Sequence, residues 1–210
     1  MQYIFHLEQY QFEGIPCQLC VPDYAQLKET YLSAPAKPAM PYWAKLWPSA
    51  IALCRFIAAR QPLFYNRKVM ELAAGLGLPS ILAAKFSASV ICSDYVKEAV
   101  ELQQASVKQN GLQNVSCECI DWREIHRDLD AGIILLSDIN YDPAQFEILY
   151  ELLLRLLDKG AIVILSTPQR IIGKPFIEKL LPYCKEKTTT CVESGGENAE
   201  IFIMQLEKTK

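Results

Sequence analysis

No uninterrupted apolar run in this 210-residue chain approaches the length of about 20 residues that spans a bilayer, so a helical membrane protein is not expected. No block of like charge occurs, and 21 Lys and Arg against 24 Asp and Glu leave a formal net charge of −3. General nucleic-acid binders draw affinity from clustered cations on phosphate, so this balance leaves room for a local basic patch at most. Histidine is scarce. His6 and His126 have no paired ligands in view, and no metal site is expected. Cys17 and Cys20 form a lone C-x-x-C, and Cys117-x-Cys119 has poor spacing to complete a zinc site. The eight cysteines therefore read as reduced thiols of a cytoplasmic protein, with Cys54, Cys92, Cys117 and Cys119 acting as small hydrophobes within apolar runs. The opening Met1-Gln-Tyr-Ile-Phe-His-Leu-Glu8 lacks the cationic-then-apolar pattern of a secretory signal. There is no internal repeat and no low-complexity tract.

What is present is enough apolar residue, 51% of the chain, to bury a substantial core in one domain with a small appendage. Residues 3–21 alternate as a β-hairpin turning at Glu13-Gly14. Pro22, Pro35, Pro38 and Pro41 mark an irregular or short helical connection, which sets a boundary between an extension (1–40) and the main domain (41–210). Two Trp and a Tyr follow in Pro41-Tyr-Trp-Ala-Lys-Leu-Trp-Pro-Ser-Ala50, rings that either pack the core or, for Trp47, wall a ligand cavity. Ser49 is a candidate cap for a helix through Arg60. Strand and helix then alternate. Strands are expected at Val69–Leu72, Ser89–Ser93, Val115–Ile120, Gly132–Ser137 and Gly160–Ser166, with helices between. Thr188–Val192 and Glu200–Leu206 close the chain as a hairpin, so the sheet is α/β and parallel except at one edge.

In such a sheet, ligands bind beyond the carboxyl ends of the strands. The first strand ends in Glu71, then Ala73, Ala74, Gly75 and Gly77, a loop whose small residues let a ligand reach the backbone. The second ends in Asp94, nineteen residues past Gly75, a distance that suits hydrogen bonds to ribose hydroxyls. The third ends in Asp121 and Trp122, an acceptor and a flat ring. The fourth ends in Asp138 and Tyr141. Each Asp alone could be a helix cap; four in register point to a nucleoside-type ligand. Gly75-x-Gly77-x-x-Ser80 is an incomplete dinucleotide motif, and the closing hairpin fits the seven-stranded Rossmann-like sheet of S-adenosylmethionine-dependent methyltransferases, whose last strand runs backwards, better than two mononucleotide halves.

Residues 41–167 resemble the class I methyltransferases of methyltransferase family 16, the protein-lysine methyltransferases with a D-x-x-Y motif. The resemblance rests on residues 41–50, on Glu71-Leu-Ala-Ala-Gly-Leu-Gly-Leu-Pro79, on Asp121-Trp122 and on Ser137-Asp-Ile-Asn-Tyr-Asp-Pro143. Thr167-Pro168-Gln-Arg170 is similar to lysine methyltransferases acting on the electron-transfer flavoprotein β-subunit. The resemblance implies S-adenosylmethionine as cofactor. Glu71, Ala73, Gly75 and Gly77 would hold its methionine part, Asp94 its ribose, and Asp121 with Trp122 its adenine, while Trp47 would line the same cavity and Tyr95 and Ser137 would also bind the cofactor. Asp138 and Tyr141 would face the methyl acceptor. That acceptor would be a lysine of a protein substrate; a small-molecule amine and a non-catalytic binding role are the alternatives. Ala73 stands where the family has a glycine.

Overall fold

The computed structural model describes residues 5–34, 40–125, 129–194 and 196–208. Tyr3, Pro35, Pro38, His126 and Gly195 lie outside them. The chain opens on an antiparallel hairpin, β1 (Phe5–Phe12) and β2 (Ile15–Pro22). Glu13 and Gly14 take φ of 47° and 81°, the positive pair that lets a two-residue turn follow the strands' own twist. The described part of the connection holds a short helix, one of the two forms expected. Asp23 caps helix α1 (Tyr24–Ser33) by accepting from the Gln26 N–H at 3.0 Å.

Helix α2 (Pro48–Ala59) begins one residue before the expected cap. Trp47 holds the cap position and Pro48 the first turn, where a fixed φ suits the helix and the missing N–H forfeits no bond. Ser49 instead lies buried, its carbonyl accepting from the Ser166 hydroxyl at 2.8 Å. The short α3 (Gln61–Phe64) leads to β3 (Lys68–Leu72), α4 (Leu78–Ala83), β4 (Ser89–Asp94), α5 (Lys97–Gln109) and β5 (Val115–Cys119). Then come β6 (Ile133–Ser137), α6 (Phe146–Asp158), β7 (Ile162–Pro168), α7 (Lys174–Leu180), β8 (Cys184–Ser194) and β9 (Glu197–Leu206).

Strands β3 to β9 make one seven-stranded sheet in the order β5-β4-β3-β6-β7-β9-β8. β3 to β7 are parallel neighbours, and β9 is antiparallel to both β7 and β8. The last strand does run backwards, but it lies one place in from the edge, with β8 outside it. The order reverses at β3, which has β4 on one side and β6 on the other. That switch opens a crevice at the carboxyl ends of these three strands.

Because side chains alternate across a strand, each central strand feeds two cores. Val69, Ile133, Leu135, Ile164 and Ile203 face α2, α4, α5 and the hairpin. Met70, Ile134, Leu136, Leu165 and Met204 face α6 and α7. This is why residues 133–136 are apolar without interruption. α6 meets its core through Leu149, Leu152, Leu153, Leu156 and Leu157, one stripe at helical spacing.

Cys17, Cys20, Cys54 and Cys92 are buried as small hydrophobes. Cys119 is not: β5 is the sheet's edge strand, and the Cys119 thiol is exposed, near the Tyr95 carbonyl at 3.4 Å. Among the described residues no helix is long and apolar enough to cross a membrane, and no group of His, Cys, Asp and Glu could hold a metal ion.

The N-terminal hairpin is bound to α5 by polar contacts inside the core. Cys20 N–H donates to the buried Ser106 hydroxyl at 2.9 Å, and Gln18 N–H to Asn110 Oδ1 at 2.9 Å. Ser106→Ala leaves the Cys20 N–H buried without an acceptor and should cost about 1–3 kcal/mol. Urea unfolding checks this; a loss of only a few tenths of a kcal/mol would mean that apolar packing alone seats the hairpin.

Candidate active site

A cavity of about 490 Å³ opens at the switch point. Its floor is the loop after β3, with Ala73, Ala74, Gly75 and Leu76 lining it. Ala73, Gly75 and Gly77 all take left-handed φ, of 50°, 54° and 76°. For Ala73 this costs about 1–2 kcal/mol that a glycine would not incur. Gly75 is required by space as well: a Cβ there would lie 3.0 Å from the Trp43 carbonyl oxygen. At Gly77 a Cβ would lie 2.6 Å from Cys92 Sγ, so this glycine serves the packing of the loop on β4; it does not line the cavity.

Asp94, at the tip of β4, holds the loop in place. It is buried, and its carboxylate accepts the Gly75 N–H at 2.9 Å and the Val96 N–H at 3.0 Å. Burial raises its pKa, and the backbone N–H groups oppose that shift. Gln103 of α5 adds a bond from its amide to the Gly75 carbonyl at 2.8 Å, an anchor the sequence reading did not single out. Ala74 N–H reaches the Ser93 carbonyl at 2.9 Å.

Glu71 sits beneath the loop and does not line the cavity. It is fully buried and accepts both the Ser80 N–H (2.9 Å) and the Ser80 hydroxyl (2.6 Å). Ser80, a residue with no evident role in the sequence, is thereby the partner that makes this burial tolerable. The other Glu71 oxygen is buried with no partner. Burial pushes the carboxyl up to about 8, against the Ser80 bonds that pull it down.

The walls are aromatic. Trp47 donates its ring N–H to the Tyr42 carbonyl at 2.9 Å, with the two rings 6.1 Å apart, and Tyr42 lies 6.2 Å from Tyr141. Lys45 Nζ rests over Trp47 at 4.7 Å from the ring centroid. Tyr95 and Tyr141 flank the mouth, each about half exposed (52% and 53%). Burial of what remains raises both phenol pKa values, Tyr95 further through the Asp94 charge.

Ser137 and Asp138, at the tip of β6, complete the lining opposite the loop. Asp138 is a non-glycine residue at φ 54°, fixed there by its N–H to the Ser166 carbonyl at 2.8 Å. Arg170, just past β7, grips its carboxylate with both guanidinium NH2 groups, one of them at 2.9 Å from Oδ2. This bond raises the Arg170 pKa. Arg170 lines the cavity, and sequence reasoning had not given it a role.

Two predicted residues lie elsewhere. Trp122 is buried in the core on the α6 side, beside Met70, Leu72 and Ile125. Asp121 pairs with Arg123, whose guanidinium lies over the Tyr95 ring at 5.5 Å. Neither lines the cavity. The structure thus gathers Trp47, Ala73, Gly75, Asp94, Tyr95, Ser137, Asp138 and Tyr141 around one space, with Glu71 and Gly77 behind the loop.

A sheet of this order with its site at the strand tips defines a Rossmann-like methyltransferase fold. Solved structures similar in fold include the T. Thermophilus 16S rRNA N2 G1207 methyltransferase RsmC with AdoMet and guanosine (TM-score 0.66, 14% identity, 99% of this chain and 52% of that one). Another is N-methyltransferase NodS of Bradyrhizobium japonicum with S-adenosyl-l-homocysteine (TM-score 0.60, 12% identity, 89% and 100%). The lysine methyltransferase family matches residues 39–182, and the chain belongs to that family of S-adenosylmethionine-dependent enzymes. Similar proteins include histone-arginine methyltransferase METTL23 of Xenopus laevis, 35% identical over 50% of this chain and 48% of that one. Protein N-lysine methyltransferase METTL21A of Xenopus tropicalis is 30% identical over 60% and 61%. The electron transfer flavoprotein beta subunit lysine methyltransferase of Danio rerio is 30% identical over 62% and 51%. The chain spans about half the length of the curated relatives it matches.

An unfolded Glu71 titrates near 4.5, so between there and about 8 the folded chain carries a proton the unfolded chain has lost. The group's contribution to stability is complete below about 4.5 and is lost as pH rises through about 8. Glu71→Gln, whose amide oxygen can still accept both Ser80 bonds, should therefore gain stability relative to wild type from pH 5 to pH 8 in urea titrations. Parallel pH curves for the two proteins would show that Glu71 is ionised in the fold.

Proposed function

We propose that this protein is an S-adenosylmethionine-dependent N-methyltransferase that acts on a lysine side chain of another protein. The observation that carries this reading is one cavity that unites the glycine loop, Asp94, an aromatic wall and Asp138, in a chain of the lysine methyltransferase family. Its volume, largely apolar walls and few convergent polar groups suit a nucleoside-sized ligand. The residues present fit the cofactor. Gly75 lets the loop pack against the Trp43 backbone while lining the cavity, and the two N–H bonds to Asp94 leave lone pairs for ribose hydroxyls. Glu71, with its unpartnered oxygen, supports the methionine end from beneath the loop. We assign adenine to the Tyr95 side, where Asp121 contributes through Arg123 and Trp122 through the core below.

The bound cofactor supplies a methyl on a sulfonium, which leaves as a neutral thioether when the methyl passes to a nitrogen lone pair. What the chain adds is placement and a dry setting. Holding two reactants in line is worth several orders of magnitude in rate. A lysine amine, with a free pKa of roughly 10.4, must arrive uncharged. Aromatic walls at Trp47, Tyr42 and Tyr141 disfavour the ammonium by desolvation. Asp138 keeps lone pairs beyond its Arg170 bonds and can orient the amine, with Tyr141 beside it. The half-exposed tyrosines at this end of the cavity favour a long side chain entering from a protein surface over a sealed small-molecule pocket.

Residues 41–210 form the catalytic domain in this reading, and 1–40 an extension whose hairpin backs α5. The eight cysteines, taken as reduced thiols, fit a cytoplasmic setting. The net charge of −3 agrees with a protein rather than a nucleic-acid partner.

Incubation with methyl-labelled S-adenosylmethionine and a cell extract should place label in a protein band. Asp138→Ala should lower that incorporation by about 100-fold or more and leave cofactor affinity, read by calorimetry, within a few-fold of wild type. Label confined to small molecules would favour a small amine acceptor, and full turnover by Asp138→Ala would contradict the role given to this residue.

A further inference from the structure

Among the described residues two carboxylates line the cavity, and both already hold partners. Asp94 binds two backbone N–H groups, and Asp138 binds the fork of Arg170. The bidentate pairing of planar guanidinium with carboxylate is the strongest geometry such a group can offer an acceptor. Here the protein supplies the guanidinium itself. Resting on the methyltransferase reading above, we infer that Arg170 determines acceptor specificity: it occupies the place on Asp138 that a substrate guanidinium would need, and by offsetting the Asp138 carboxylate it lets the acceptor amine be taken up in its uncharged form.

The physical case has two parts. First, a substrate arginine stays protonated and would find the bidentate edge of Asp138 already filled, with only single acceptor positions left. Displacing Arg170 would strand a second guanidinium, itself only partly exposed at 35%. Secondly, Arg170 never loses its charge at working pH. Its charge offsets the Asp138 carboxylate, which alone would hold a bound lysine as the ammonium, so a lysine entering beside the pair gives up its proton at lower pH than it would beside Asp138 alone. One proton goes to solvent before the lone pair takes the methyl, and the product leaves as a methylammonium.

Other groups at this end do not provide the same control. Lys45 is the second lining cation, but its ammonium rests on the Trp47 face. Tyr42 and Tyr141 are the lining phenols here, with Tyr95 on the adenine side, and those of Tyr95 and Tyr141 are pushed towards the neutral form. Asp94 lies at the glycine-loop end, against Gly75.

The test uses the full chain, methyl-labelled S-adenosylmethionine and the cell-extract protein band as acceptor. The labelled protein is hydrolysed to amino acids, and initial rates are followed against pH for wild type, Arg170→Gln and Arg170→Lys. Wild type should yield methyl-lysine and no methylarginine. The acidic limb of the saturated rate should move to higher pH by about one unit in Arg170→Gln and stay near wild type in Arg170→Lys, which keeps the charge. Methylarginine from wild type would overturn the inference. So would an Arg170→Gln protein whose rate falls equally at every pH, because that is what a merely structural role produces. If wild type labels no protein at all, the protein-lysine reading fails and this inference falls with it; if Arg170→Gln does not fold, the wild-type hydrolysate and the Arg170→Lys limb still decide.

Discussion

A buried carboxylate that spends its lone pairs on backbone N–H groups is the joint on which the site turns. Asp94 ends β4, yet it bonds Gly75 from the neighbouring β3 loop and Val96 at the start of the next connection. Its carbonyl also receives the Ile120 N–H at 2.9 Å, which brings the end of β5 to the same point. A charge this deep is costly unless its hydrogen bonds are made. Making them anchors the loop after β3, whose Ala73, Gly75 and Gly77 take left-handed φ, and that loop puts bare backbone at the cavity floor.

The opposite wall is built on the same plan with a different partner. Asp138 ends β6, also in a left-handed conformation, and is held from β7 by the Ser166 carbonyl and by Arg170. One carboxylate is therefore neutralised by peptide dipoles and the other by a full cation. The first arrangement leaves a negative group facing the cavity. The second leaves an end with little net charge, lined by rings. The switch in strand order at β3 is what sets these two carboxylates face to face across one cavity.

Much of the fold was legible because each parallel strand is a short apolar run stopped by a polar residue. The run 133–136 could only be a strand buried on both faces, and Glu13-Gly14 could hardly be anything but a turn. Asp94 was legible from its spacing to the loop. The role of Arg170 was not: Thr167-Pro168-Gln-Arg170 stands out as a motif, but Arg170 lies 32 residues from Asp138 and only the pairing of β6 with β7 brings them together. Trp122 shows the converse. A ring after a strand tip suggests a ligand face, but apolar residues of both β3 and β6 converge below that tip, and the ring is buried among them. Chemistry at one strand end can be read from that strand, whereas contacts across the switch point depend on an order of strands that no local pattern encodes.

A crystal structure grown with S-adenosylhomocysteine tests the central claim most directly. The ligand should occupy the cavity between residues 73–76 and Tyr95, with its ribose hydroxyls within hydrogen-bond distance of Asp94. Density at another face of the sheet, or a ligand in the cavity with Asp94 turned away from its ribose, would contradict it.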